Sequence, residues 1–109
     1  MIAKTLVFNK IQKTPNFIEN QINKELEGMT LKFATQNESQ IKGKFIITLF
    51  LEEKNSSTKV KVFKDQFIDK MDIAINEFLV DKTFKYCTQT FVGSNIYSLV
   101  YFSDKKKEE

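Results

Sequence analysis

Apolar and polar positions along the chain change their spacing in a fixed order, and that order occurs twice. Thr5-Leu6-Val7-Phe8 is a short run of β-formers. Lys13-Thr14-Pro15-Asn16 then has the form of a helix start, with threonine at the N-cap and proline at the first helical position. Ile18, Ile22 and Leu26 recur four apart on one face, Glu19, Asn20, Asn23, Lys24 and Glu27 lie elsewhere, and Gly28 supplies the stop. Leu31, Phe33 and Thr35 alternate with Lys32, Ala34 and Gln36, which predicts a strand that buries the first set and wets the second. Asn37-Glu38-Ser39-Gln40 is expected to turn the chain into the apolar strand 45–51, which the polar connector Glu52-Glu53-Lys54-Asn55-Ser56-Ser57 closes.

The same order then returns. Val60-Lys61-Val62-Phe63 answers the first strand, and Val62-Phe63-Lys64-Asp65 lines up with Val7-Phe8-Asn9-Lys10. Phe67, Met71, Ala74, Ile75, Phe78 and Leu79 keep helical spacing, with Asp69 and Asp72 near the helix start where carboxylates suit the dipole. Ile75-Asn76-Glu77-Phe78-Leu79 corresponds to Ile22-Asn23-Lys24-Glu25-Leu26. Thr83-Phe84-Lys85-Tyr86-Cys87-Thr88-Gln89 repeats Thr30-Leu31-Lys32-Phe33-Ala34-Thr35-Gln36 nearly letter for letter, and after a turn at Gly93-Ser94-Asn95 the strand 96–102 matches 46–52. The reading is an internal duplication.

The expected fold is therefore α+β: one domain of tandem β-α-β-β units, 2–53 and 59–104, with 105–109 a disordered tail. Six strands and two helices form a two-layer sandwich of mostly antiparallel sheet with pseudo-twofold symmetry. In each unit the third strand belongs in the middle, because a split β-α-β closes that way and because its apolar residues fall on both faces. The sheet face turned away from the helix is then too apolar at its centre to stay wet, so the other unit, a second copy or a partner must cover it.

Composition narrows the function classes. At 41% hydrophobic residues with three glycines and one proline, the chain is a folding domain and not a linker. Its single cysteine, Cys87, makes no internal disulfide, and its apolar runs are too short for a leader or a membrane span, so a cytoplasmic protein is expected. The basic residues are all lysines, with no arginine and a net charge of +3, which fits AT-rich coding as well as any basic partner. Histidine is absent, which removes the ordinary general base and the Ser-His and Cys-His pairs; no phosphate loop or paired cysteine ligands appear, and the carboxylate pairs Glu25/Glu27, Glu52/Glu53 and Asp69/Asp72 read as solvated or helix-capping. No catalytic, metal or cofactor residue is assigned.

From Lys59 to Phe102, Val60-Lys61-Val62-Phe63, Ile75-Asn76-Glu77-Phe78-Leu79 and Leu99-Val100-Tyr101 resemble a family of small β-α-β-β sporulation-associated proteins of spore-forming bacteria. That family has no well-defined activity to lend. The element order also looks like dodecin, but no tryptophan is present to stack on a flavin, and it is similar to the glyoxalase superfamily, whose metal needs histidine. No functional residue is carried over from any of them.

What remains is a non-catalytic binding or assembly protein of the kind carried by phages and mobile elements, acting through a sheet face or edge on a protein partner or on a second copy as a homodimer. The alternatives are a small-ligand binder and a single-stranded nucleic-acid binder that frames exposed aromatic rings with lysines. The candidate surface for these readings is Lys32, Gln36, Lys61, Lys85, Gln89, Tyr97 and Tyr101.

Overall fold

The computed structural model describes residues 1–9, 12, 14–39, 43–53 and 57–104, with the backbone alone at Ser39. The expected tail 105–109, the helix-start residue Lys13, the turn residue Gln40 and Lys54-Asn55-Ser56 of the connector lie outside the described residues. The chain runs β1 (Ile2–Phe8), α1 (Pro15–Leu26), β2 (Thr30–Ser39), β3 (Lys44–Glu52), β4 (Lys59–Asp65), α2 (Ile68–Leu79), β5 (Lys82–Val92) and β6 (Asn95–Asp104). This is the expected α+β fold, with six antiparallel strands in two sheets.

Local chemistry sets the ends of the elements. The Thr14 hydroxyl caps α1 by accepting from the Phe17 N–H at 3.4 Å, with Pro15 in the first turn. Gly28 ends that connection at φ 71, in the left-handed region. The β5–β6 hairpin closes through Gly93-Ser94, because Val92 pairs directly with Asn95 and Gly93 takes the positive φ that a primed turn requires.

Strand order is β1-β3-β2 in the first sheet and β4-β6-β5 in the second, so each unit places its last strand in the middle. Both second strands are interrupted at the same point of the repeat. Pairing slips between Leu31 and Phe33 in β2 and between Phe84 and Tyr86 in β5, leaving Lys32 and Lys85 as the extra residues of two β-bulges. The bulge also fixes which residues of the central strands are equivalent. Phe50 lies opposite Phe33 as Tyr101 lies opposite Tyr86, so 45–51 answers 96–102, one residue away from the match read in the sequence.

The bulge corrects the expected phase of β2. An extra residue at Lys32 reverses the alternation beyond it, so Ala34 is buried in the core while Phe33 is 48% exposed. Asn37-Glu38-Ser39 does not turn the chain; it continues β2 in register with Ile46, Phe45 and Lys44.

The core is shared unevenly between the units. Ile18, Ile22 and Leu26 of α1 and Phe45, Ile47, Leu49 and Leu51 of β3 join Val60, Val62, Tyr97, Leu99 and Tyr101 in one cluster. The helix-bearing face of the first sheet thus covers the helix-free face of the second. Side chains of alternate phase on β6, among them Val100 and Phe102, point to the other side, where the Phe78 ring of α2 stands 4.8 Å from Phe102 and 5.6 Å from Phe63. α1 buries three apolar residues at roughly 1.5–3 kcal/mol each. Only Met71 is fully buried on α2. The two units therefore share element order, strand order and bulge position, but their helices occupy unlike places, because α1 packs where the first sheet meets the edge of β4 and α2 is left outside.

Candidate interaction surface

The two sheets meet along β2 and β5, where contacts climb in step along both strands. The Phe33 and Tyr86 rings, equivalent positions of the repeat, lie 5.4 Å apart. Gln36 follows: its Nε2 donates to the Tyr97 carbonyl at 3.1 Å, its Oε1 accepts from the Thr88 hydroxyl, and its carbonyl accepts from the Thr90 hydroxyl at 3.2 Å. Beyond it, the Gly93 N–H donates to Glu38 Oε1 at 3.4 Å. Gln36 is thus a joint between the sheets and not part of an open patch.

The other sequence-selected residues do not converge either. Tyr97 and Tyr101 are 2% and 0% exposed, so neither offers a ring face to a base; their side of β6 is the one the first unit covers. Burial, and secondarily the neighbouring Cys87 and Tyr86, hold the Tyr101 phenol far above its ordinary range. Burial, then Glu38, raises Tyr97 as well. Gln89 donates to the Ser98 hydroxyl at 2.8 Å. Lys61 pairs with Glu19 at 3.5 Å and Lys32 with Glu52 at 3.8 Å, while Lys85 is exposed on its bulge. The Cys87 thiol is half-buried and pushed up by that burial, which opposes thiolate chemistry.

Two other features are better built, the first expected from the sequence as a face and the second not. The first is the helix-free face of the first sheet, where Ala3, Thr5 and Val7 of β1, Ile46, Thr48 and Phe50 of β3, and Phe33, Thr35 and Asn37 of β2 stand in register. The Thr5 and Thr48 hydroxyls meet at 3.1 Å and the Phe33 and Phe50 rings at 6.3 Å, which places these side chains on one side. The centre of the face carries no charge, with Lys44 and Glu52 of the same β3 phase at its two ends; Val7 and Phe33 are about half exposed, and Ile46, Thr48 and Phe50 are partly so. Its only sequence signal was the apolar residues on both faces of 45–51.

The second is the way α1 closes the edge of β4. A sheet edge presents unpaired amides that must be covered or satisfied. Glu19 Oε1 accepts from the Val62 N–H at 2.7 Å, Asn23 Oδ1 accepts from the Val60 N–H at 2.7 Å, and Asn23 Nδ2 donates back to the Val60 carbonyl at 3.4 Å. Glu19 and Asn23 lie one helical turn apart, so one face of α1 reads two successive outward amides of the strand. The repetition of Asn23 as Asn76 was the available signal.

Comparison of the chain with protein-family models, with curated proteins and with solved structures returns no match. No helix among the described residues is long and apolar enough to cross a membrane.

Proposed function

We propose that this chain is a non-catalytic binding and assembly protein that receives another protein on the helix-free face of its first sheet, whose centre is uncharged. The supporting observation is internal. The equivalent face of the second sheet, carrying Leu99 and Tyr101, is buried under the first unit, so the surface left open is of a type that this fold itself packs away. A β face with an uncharged centre of exposed aromatic and β-branched residues, and with only one lysine and one carboxylate at opposite ends of its central strand, suits an apolar protein surface and not a polyanion, whose binding rests on clustered cations.

The test compares the wild-type chain with a Phe33→Lys variant as bait in extracts of its host, beside retention on heparin and on oligo(dT). The expected result is a protein held by the wild type through salt washes and lost on Phe33→Lys. Identical capture by both baits, or oligonucleotide retention that falls steeply with salt, would overturn the reading.

A further inference from the structure

The contact between α1 and β4 has a counterpart in the repeat that is not made within the chain. α2 carries Asp72 and Asn76 at the positions of Glu19 and Asn23, and both are exposed. Their stripe is bordered by Ile68, Ile73 and Val80, 67%, 58% and 74% exposed, where α1 has Pro15, Asn20 and Glu27. β1 is the strand equivalent to β4, lying at the edge of its sheet beside the central β3. The register makes the equivalence residue by residue: Ala3 and Thr5 stand opposite Phe50 and Thr48 as Val60 and Val62 stand opposite Tyr101 and Leu99. Lys4, and not Leu6 as the match read in the sequence had it, therefore takes the place of Lys61, the lysine that pairs with Glu19.

We infer that this chain self-associates by docking α2 of one copy on the β1 edge of another. In that contact Asp72 and Asn76 accept from the outward amides of Thr5 and Ala3, Asn76 donates to the Ala3 carbonyl, and Lys4 faces Asp72. The occupant is a second copy because both halves of the contact are present on one chain with the matching set of groups: two outward amides and a lysine on the strand, a carboxylate and an amide one turn apart on the helix. The exposed isoleucines and valine flanking the stripe supply the apolar area that hydrogen bonds alone do not. A reciprocal pair of such contacts closes a dimer. The inference does not rest on the binding face proposed above, since it uses the strand edge and not the flat of the sheet.

Light scattering after size exclusion, on the full chain up to about 1 mM, where a contact worth more than about 4 kcal/mol is visible, tests it. The wild type is expected at a multiple of the 12.8 kDa chain mass. Asp72→Lys and Lys4→Glu should each weaken association by at least about tenfold, and the two together should restore it, because the charges exchange places. Asn76→Ala, an exposed substitution that leaves the helix intact, should weaken it too, whereas Phe33→Lys should not. A wild type that stays a single 12.8 kDa species, an assembly indifferent to the single variants, or a double variant that does not recover would each overturn the inference; loss of host-protein capture by Phe33→Lys with self-association intact separates it from the face reading.

Discussion

Tyr101 carries its ring into the middle of the shared core and its hydroxyl with it, where no described residue bonds the oxygen. A buried hydroxyl without a partner forfeits its hydration, so Tyr101→Phe should leave the urea midpoint unchanged or raise stability by about 1 kcal/mol. A drop of more than about 1 kcal/mol would show that the oxygen has a bound partner, such as water. The same burial makes stability fall in alkali. Unfolded tyrosine ionises near pH ~10, while in the folded chain burial keeps the phenol protonated well beyond that. The stabilising difference is present below about pH 10 and is lost as pH rises above it, at up to about 1.4 kcal/mol per unit for this residue. The phenolate absorbance that Tyr101→Phe removes should accordingly appear together with unfolding, and that variant should soften the alkaline transition. The sequence made Tyr101 an aromatic of alternating phase on an apolar strand, and that much was legible. Whether such a ring faces a partner or the interior depends on which surface folds over it, and the alternation is identical in both cases.

At the scale of elements, the closure of β4 by α1 makes the clearest stability prediction. Asn23→Ala removes an acceptor and a donor from Val60 and leaves a partly buried backbone pair unsatisfied, so a loss of about 2–3 kcal/mol in denaturant unfolding is expected. Asn76→Ala on α2, the same substitution at the equivalent position, should cost under about 0.5 kcal/mol in the isolated chain, since its side chain is exposed. Equal losses at the two sites would contradict the difference in helix environment. Gly28→Ala belongs here as well. A Cβ at Gly28 meets nothing within 4 Å, so its cost of about 1 kcal/mol would come from the positive φ alone. Element existence and order were readable because Thr14-Pro15, Gly28 and the two apolar periods all point to the same boundaries. The bulges were not readable, since an extra residue in a strand preserves the letters Thr-Leu-Lys-Phe while changing which of them face the core. That single residue accounts for the inverted assignment of Phe33 and Ala34.

For the whole molecule, the repeat specifies two similar units but not how they lean on each other. Periodicity records that Ile18, Ile22 and Leu26 on one helix and Met71, Ile75 and Phe78 on the other each share a face; it is silent on how deep the covering layer is. In the folded chain the first unit closes over the helix-free face of the second, so α1 buries its apolar face against the shared core and the edge of β4 while α2 rests on an outer surface. Stability should be distributed accordingly. Ile22→Ala deletes apolar volume from a fully buried site and should cost about 3 kcal/mol or more, whereas its repeat equivalent Ile75→Ala, half-buried, should cost roughly 1 kcal/mol. Native-state hydrogen exchange reads the same gradient without mutation: α1 amides should exchange only on global opening, and α2 amides by a lower-energy local opening, in dilute chain or in the Asp72→Lys variant. Since self-association would cover α2, its protection should rise with concentration in the wild type and stay flat in Asp72→Lys. Equal protection of both helices at high dilution would mean that the two units pack alike, and the asymmetry on which the open helix stripe depends would be gone.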